Sequence, residues 1–117
     1  MAPLAPHVLI LDDDQTFART LSRLLAENGY ETGTLSSGDT LFEYLATRVV
    51  DLLILDLSLP GQDGFALLEA IKRDPVHHDL PILVLSSSPP GETSVTALGL
   101  GAADFVGKPF RCTPSTH

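Results

Sequence analysis

The chain has a single cysteine, Cys112, so no disulfide can close within it. That fits a reducing compartment. Basic residues are scarce: 7 Lys and Arg stand against 15 Asp and Glu, giving a formal net charge of −8. This balance argues against a broadly basic nucleic-acid surface and disfavours attraction to anionic membranes. No apolar run approaches the roughly 20 residues that a membrane span needs. The amino terminus, MAPLAPHVLILDDD, lacks the basic start of a secretory signal, and its apolar run stops at three aspartates. Internal repeats, low-complexity stretches and internal linkers are also lacking. The expectation is a soluble, cytoplasmic chain with no nucleic-acid or membrane partner of its own. Its 117 residues fit one domain, and its 44% hydrophobic content can fill a core.

What is present is an alternation of short apolar runs and helical patterns. HVLIL (7–11) reads as a buried strand. In the segment after it, Phe17, Leu21, Leu24, Leu25 and Asn28 fall at helical spacing, and Gly29 stops the pattern. YETGTL (30–35) is a weaker strand. SSGDTLFEYLATR reads as a helix capped by Ser37 or Asp39, with Leu41, Phe42 and Leu45 on its apolar face. DLLILD (51–56) is the third strand. DGFALLEAIKRDP is a helix closed by Pro75, PILVLS (81–86) a strand, ETSVTALGLG a short helix, and DFVG (104–107) the fifth strand.

Strands alternating with helices imply a parallel sheet with helices on both faces. The expected fold class is α/β and doubly wound with five strands, for which the flavodoxin-like order 2-1-3-4-5 sets strands one and three side by side at the switch point. One element is missing. After Phe110 only RCTPSTH remains, too short and too irregular for a normal fifth helix. The expected boundaries are a domain over 1–110 and an irregular tail over 111–117.

In open parallel sheets, sites form where strands end, next to the point at which strand order reverses. Asp12 and Asp13 end the first strand there, Asp56 the third and Ser86 the fourth, while Lys108 follows the fifth. Three carboxylates in one pocket repel one another, and a small hard cation relieves the conflict. Mg²⁺ takes oxygen ligands, keeps waters and commonly bridges to phosphate. Lys108 and Ser86 would neutralise and bond a phosphoryl group, and Asp56 is the natural nucleophile, since carboxylates form acyl phosphates.

The pieces VLILDDD, DLLILDLSLPGQDG, PILVLSS and GAADFVGKPF, in this order, resemble the receiver domain of two-component response regulators. Ser86 lies 30 positions after Asp56 and Lys108 lies 22 after Ser86, as in that family. The resemblance implies Asp56 as phosphoacceptor and Asp12 and Asp13 as the acidic pair for Mg²⁺. It gives the backbone carbonyl of Ser58 to the metal, makes Ser86 the switch hydroxyl and pairs Lys108 with the phosphoryl oxygens. It also implies a cis Lys108–Pro109 bond and makes Phe105 the switch aromatic. Pro60 and Gly64 match the loop after the phosphoacceptor. The implied partner is a histidine kinase or phosphotransfer protein, and the chemistry is acceptance and hydrolysis at Asp56 rather than conventional enzymology.

Plainer readings stand beside these. Asp14 and Asp63 suit helix caps, Asp51 precedes the third strand away from the site, and Phe105 also suits the core. His77 and His78 are expected in solvent, because adjacent histidines with no third ligand make a poor metal site. A P-loop fails, since its required positions hold Ala102 and Pro109, and GLGAAD precedes a strand where a dinucleotide fingerprint follows one. Ser86 replaces the commoner Thr, Ser87 a smaller residue, and Pro89 and Pro90 stiffen the loop before the fourth helix. The open flank leaves three readings: a piece of a longer regulator or hybrid kinase, a homodimer over the gap, or partial cover by the tail. The alternative function is a docking or dimerisation module that needs no phosphorylation. An aspartyl-phosphate phosphatase is disfavoured, because Ser58 stands where its second Asp belongs.

Overall fold

The run Leu52–Asp56 forms the centre of the sheet (β3), hydrogen-bonded on one side to His7–Leu11 (β1) and on the other to Ile82–Ser86 (β4). Continuous apolar strands of this kind suit a sheet covered on both faces. Glu31–Leu35 (β2) flanks β1, Asp104–Gly107 (β5) flanks β4, and all four pairings are parallel. The strand order is therefore 2-1-3-4-5, the flavodoxin-like order expected. The computed structural model describes residues 5–57, 63–86 and 92–107, and the side chains of 92–95 are left aside.

Four helices connect the strands: Gln15–Glu27 (α1), Leu41–Thr47 (α2), Gly64–Arg73 (α3) and Glu92–Gly99 (α4). Local chemistry sets their ends. Asp14 caps α1, accepting the Phe17 N–H at 3.0 Å. Asp63 caps α3, accepting the N–H groups of Phe65 at 2.9 Å and Ala66 at 3.4 Å. Both acids thus take the capping role that their position before an apolar run predicts. Ser37 caps a 3₁₀ turn, Gly38–Thr40, that leads into α2. Beyond α1, Gly29 takes a φ of +91°, and the Tyr30 N–H reaches back to the Leu25 carbonyl at 3.0 Å. Only glycine adopts such a left-handed turn at little cost.

The period of two along each strand sorts the core into two layers. Leu9, Leu11, Leu53, Leu55, Ile82 and Val84 face α2, α3 and α4. Val8, Ile10, Ile54 and Leu85 face α1, where they meet Ala18, Phe17, Leu21 and Leu25. Among the described residues, which end with β5, α1 is the one helix on this second face. Leu52, Leu83 and Val106 there are only partly buried.

Two expectations fail locally. Phe42 is exposed, and Tyr44 takes its place against the core with Leu41 and Leu45. Position 42 lies about 100° around the helix from position 41, whereas 44, 41 and 45 share one face. His77 is not in open solvent. It is half-buried, its Nδ1 lies 3.1 Å from Asp74 Oδ2, and its ring meets the edge of Phe42.

Candidate functional site

Parallel strands place all their carboxyl ends at one pole. Asp12 follows the last residue of β1 and Asp56 is the last of β3, both almost wholly buried. Asp13, next along the chain, is exposed. One carboxylate oxygen from each of the three lies within 4.8 Å of the others. Among the described residues this is the one group of three or more ligand-type side chains close enough to share an ion. The donor set is all oxygen, which suits a hard cation such as Mg²⁺ or Ca²⁺ and not a thiophilic metal.

Backbone hydrogen bonds position Asp12 and the chain just beyond Asp56. The Asp12 N–H donates to the Leu35 carbonyl at 3.0 Å, extending the β1–β2 ladder by one step. Asp12 Oδ1 accepts the Asp14 N–H at 2.9 Å, so the start of α1 orients the carboxylate. Gln15 adds a contact that sequence spacing did not signal: its amide nitrogen donates to the Asp12 carbonyl at 3.3 Å. Beyond Asp56, the Leu57 N–H bonds the Leu85 carbonyl at 2.9 Å. Leu57 is also pinned from the helix side. A methyl group at Gly64 would sit 2.6 Å from the Leu57 Cα, so α3 can start this close only on glycine.

Ser86 ends β4, one step past the Asp56–Leu85 pairing, and is buried at the same pole. It pairs with Gly107, the last residue of β5. Phe105, paired with Val84, is partly buried against the core layer that includes Ala97 of α4. Lys108, Pro109, Ser58, Pro60, Ser87, Pro89, Pro90 and the 111–117 tail lie outside the described residues. Asp51 stands at the opposite pole, accepting the His7 N–H at 2.7 Å, as its place before β3 predicts.

The family model for the response regulator receiver domain matches residues 8–114. The chain belongs to this family. The receiver domain is also similar to known proteins individually. It is 36% identical over 103 residues to the DNA-binding transcriptional regulator NtrC of Escherichia coli (strain K12), covering 88% of this chain and 22% of that protein. The chain therefore spans under a quarter of that relative's length. The signal receiver domain of a DNA-binding response regulator from Colwellia psychrerythraea 34H superposes with a TM-score of 0.85 at 25% identity, over 92% of this chain and 89% of that one. A response regulator protein from Burkholderia pseudomallei, crystallised with a phosphorylated aspartic acid, calcium ion and citrate, gives a TM-score of 0.81 at 27% identity, over 91% and 61%. This is a receiver domain of two-component signalling, built on the flavodoxin-like sheet. Among the described residues, no helix is long and apolar enough to cross a membrane.

Proposed function

We propose that this receiver accepts a phosphoryl group on Asp56 from a histidine kinase or phosphotransfer protein, and later hydrolyses it. The observation that carries the proposal is the convergence of the Asp12, Asp13 and Asp56 carboxylates within 4.8 Å at the carboxyl pole. The Burkholderia relative, with its phosphorylated aspartic acid and calcium ion, supports the same reading.

Asp56 is the nucleophile. One of its oxygens attacks phosphorus, the new O–P bond forms as the P–N bond to the donor imidazole breaks, and the imidazole leaves with the bonding pair. Hydrolysis reverses the modification when water attacks phosphorus and the carboxylate departs. The strand end fixes Asp56 so that little reorientation is needed, which is the larger part of what phosphoryl transfer asks of a protein. Asp12 and Asp13 would hold Mg²⁺ together with Asp56 and the Ser58 carbonyl. When bound, the ion supplies charge neutralisation to the carboxylates and the phosphoryl oxygens. Ser86 donates its hydroxyl to a phosphoryl oxygen, and Lys108, joined to Pro109 by a cis bond, offsets the remaining charge.

The response is a shift between two populated conformations. Ser86 moves toward the phosphoryl group and Phe105 turns inward behind it. The domain spans 1–110 with 111–117 as an irregular tail, acts in the cytoplasm, and is a signalling module rather than a conventional enzyme. Self-association over the face on which α1 packs is a further proposal, tested by sedimentation. The main proposal is tested by incubation with a small phosphodonor and Mg²⁺ followed by intact mass, with one phosphoryl group expected and an unmodified chain counting against it.

A further inference from the structure

The opposite pole of the sheet carries a feature that phosphoryl chemistry leaves unused. Val49, in the turn between α2 and β3, is 83% exposed, and Val76, in the turn between α3 and β4, is 79% exposed. Both line one groove of about 410 Å³ whose floor is formed by the buried side chains of Leu45 and Leu80. The two protruding valines stand beside these leucines in a groove whose lining also holds Arg48, Asp51, His77 and Asp79.

Charge sorts the possible occupants. Asp51 and Asp79 stand on the rim, the Asp79 side chain being 92% exposed. A second cavity of about 470 Å³ shares Arg48, Val49 and Asp51 with the groove and adds Glu31, whose side chain is 69% exposed. The charged groups nearby already have partners: Asp51 accepts the His7 N–H, Glu31 meets His7 Nδ1 and Asp79 meets His78 Nδ1, each through one carboxylate oxygen, and the basic groups are held too. The Arg48 guanidinium lies over the Tyr44 ring at 5.1 Å. Lys72 Nζ donates to the carbonyls of Leu80 at 2.7 Å and His78 at 3.2 Å. Arg73 pairs with Glu69 at 3.2 Å. A second copy of this chain, with its net charge of −8 and the same acidic rim, is a poor match.

We propose that this groove docks a linear segment of a partner protein in which an apolar side chain is flanked by lysine or arginine. The apolar side chain sits between Val49 and Val76, and the flanking cations meet Asp51, Asp79 and Glu31. β3 separates this pole from Asp56 by about 16 Å at the usual rise per residue, so the occupant leaves the acid cluster open. The proposal stands independently of phosphoryl acceptance.

The test selects random dodecapeptides displayed on phage against the whole chain, then measures the recovered peptides by fluorescence anisotropy. The expected result is enrichment of sequences with an apolar residue between basic ones. Their affinity falls at least about tenfold in Val49→Ser/Val76→Ser and weakens in Asp51→Asn/Asp79→Asn. Both valines are exposed, so the fold tolerates the change, which circular dichroism checks. Amide resonances of Val49 and Val76 shift on binding, while the rate of Asp56 modification does not change. No enrichment, enrichment of acidic sequences, or equal binding by the double valine variant overturns the proposal. So does self-association of the chain that the valine substitutions abolish, which would assign the groove to a second copy.

Discussion

The Tyr44 hydroxyl on α2 meets Nε2 of His7 on β1 at 2.6 Å, passing over β2 where Gly33 leaves room. A methyl group at position 33 would overlap that hydroxyl. On its other side His7 Nδ1 lies 2.7 Å from Glu31 Oε1, so one imidazole ties together two strands and a helix. Gly33→Ala forces Tyr44 outward, and overpacking of this kind costs about 1–3 kcal/mol. Tyr44→Phe removes only the bond, about 1 kcal/mol. Urea denaturation of both single variants and the double gives the coupling. The account expects Gly33→Ala to cost less in the Tyr44→Phe background.

Burial raises the Tyr44 phenol above its ordinary value, with Glu31 adding to the rise and Arg48 opposing it. The neutral phenol is therefore the form the fold favours. Its stabilising contribution is fully present below the ordinary tyrosine range and is lost as pH rises through the folded value. Alkaline absorbance titration of Tyr30→Phe, which leaves Tyr44 as the one tyrosine, is expected to show ionisation later than in a free phenol, with unfolding easier beyond it.

Asp74 behaves in the opposite sense. The Val76 N–H, donating to Oδ1 at 2.8 Å, and His77 beside Oδ2 hold its carboxyl below the usual range. A depressed acid contributes stability above its unfolded value and loses it as pH falls through the folded one. Urea midpoints across acid pH are expected to converge for wild type and Asp74→Asn as pH drops, and to separate at neutral pH.

At the acid cluster, loss of a ligand oxygen weakens cation binding. Asp12→Asn is expected to lower affinity for Mn²⁺, used as a paramagnetic stand-in for Mg²⁺, by at least about tenfold, or ~1.4 kcal/mol. In metal-free protein, Asp13→Asn raises stability because one of three like charges is gone. Water proton relaxation reads the first effect and thermal melting the second.

Gly64→Ala tests whether the contact with Leu57 positions Asp56. The added methyl falls 2.6 Å from backbone that a side-chain rotation cannot move. The variant is expected to lose about 1–3 kcal/mol of stability, and Asp56 modification is expected to slow even where the protein stays folded.

Much of this was legible in the chain itself. Leu52, Leu53, Ile54 and Leu55 announce a doubly covered strand, and Asp14, Asp63 and Gly29 mark helix ends by chemistry that acts within a few residues. Asp12, Asp13 and Asp56 could be grouped because parallel strands bring every carboxyl end to one pole. What could not be read depends on which of several ordinary contacts a side chain makes. Phe42 and Tyr44 both suit a helix in contact with a core, but helix geometry sets Tyr44 on the face of Leu41 and Leu45, where Gly33 leaves room for its hydroxyl. His77 was expected in solvent because adjacent histidines with no third ligand make a poor metal site, yet Asp74 three residues earlier and Phe42 of α2 hold it half-buried. The Gln15 amide on the Asp12 carbonyl leaves no pattern in sequence, since glutamine at a helix start is ordinary.

The central claim is that Asp56 receives the phosphoryl group. Intact mass after incubation with a small phosphodonor and Mg²⁺ tests it most directly, in wild type, Asp56→Asn and Asp14→Asn. The account predicts one added phosphoryl group in wild type and in Asp14→Asn, whose carboxylate caps α1, and none in Asp56→Asn or after chelation of the metal. Undiminished modification of Asp56→Asn, or no modification of the wild type by any donor, would contradict it.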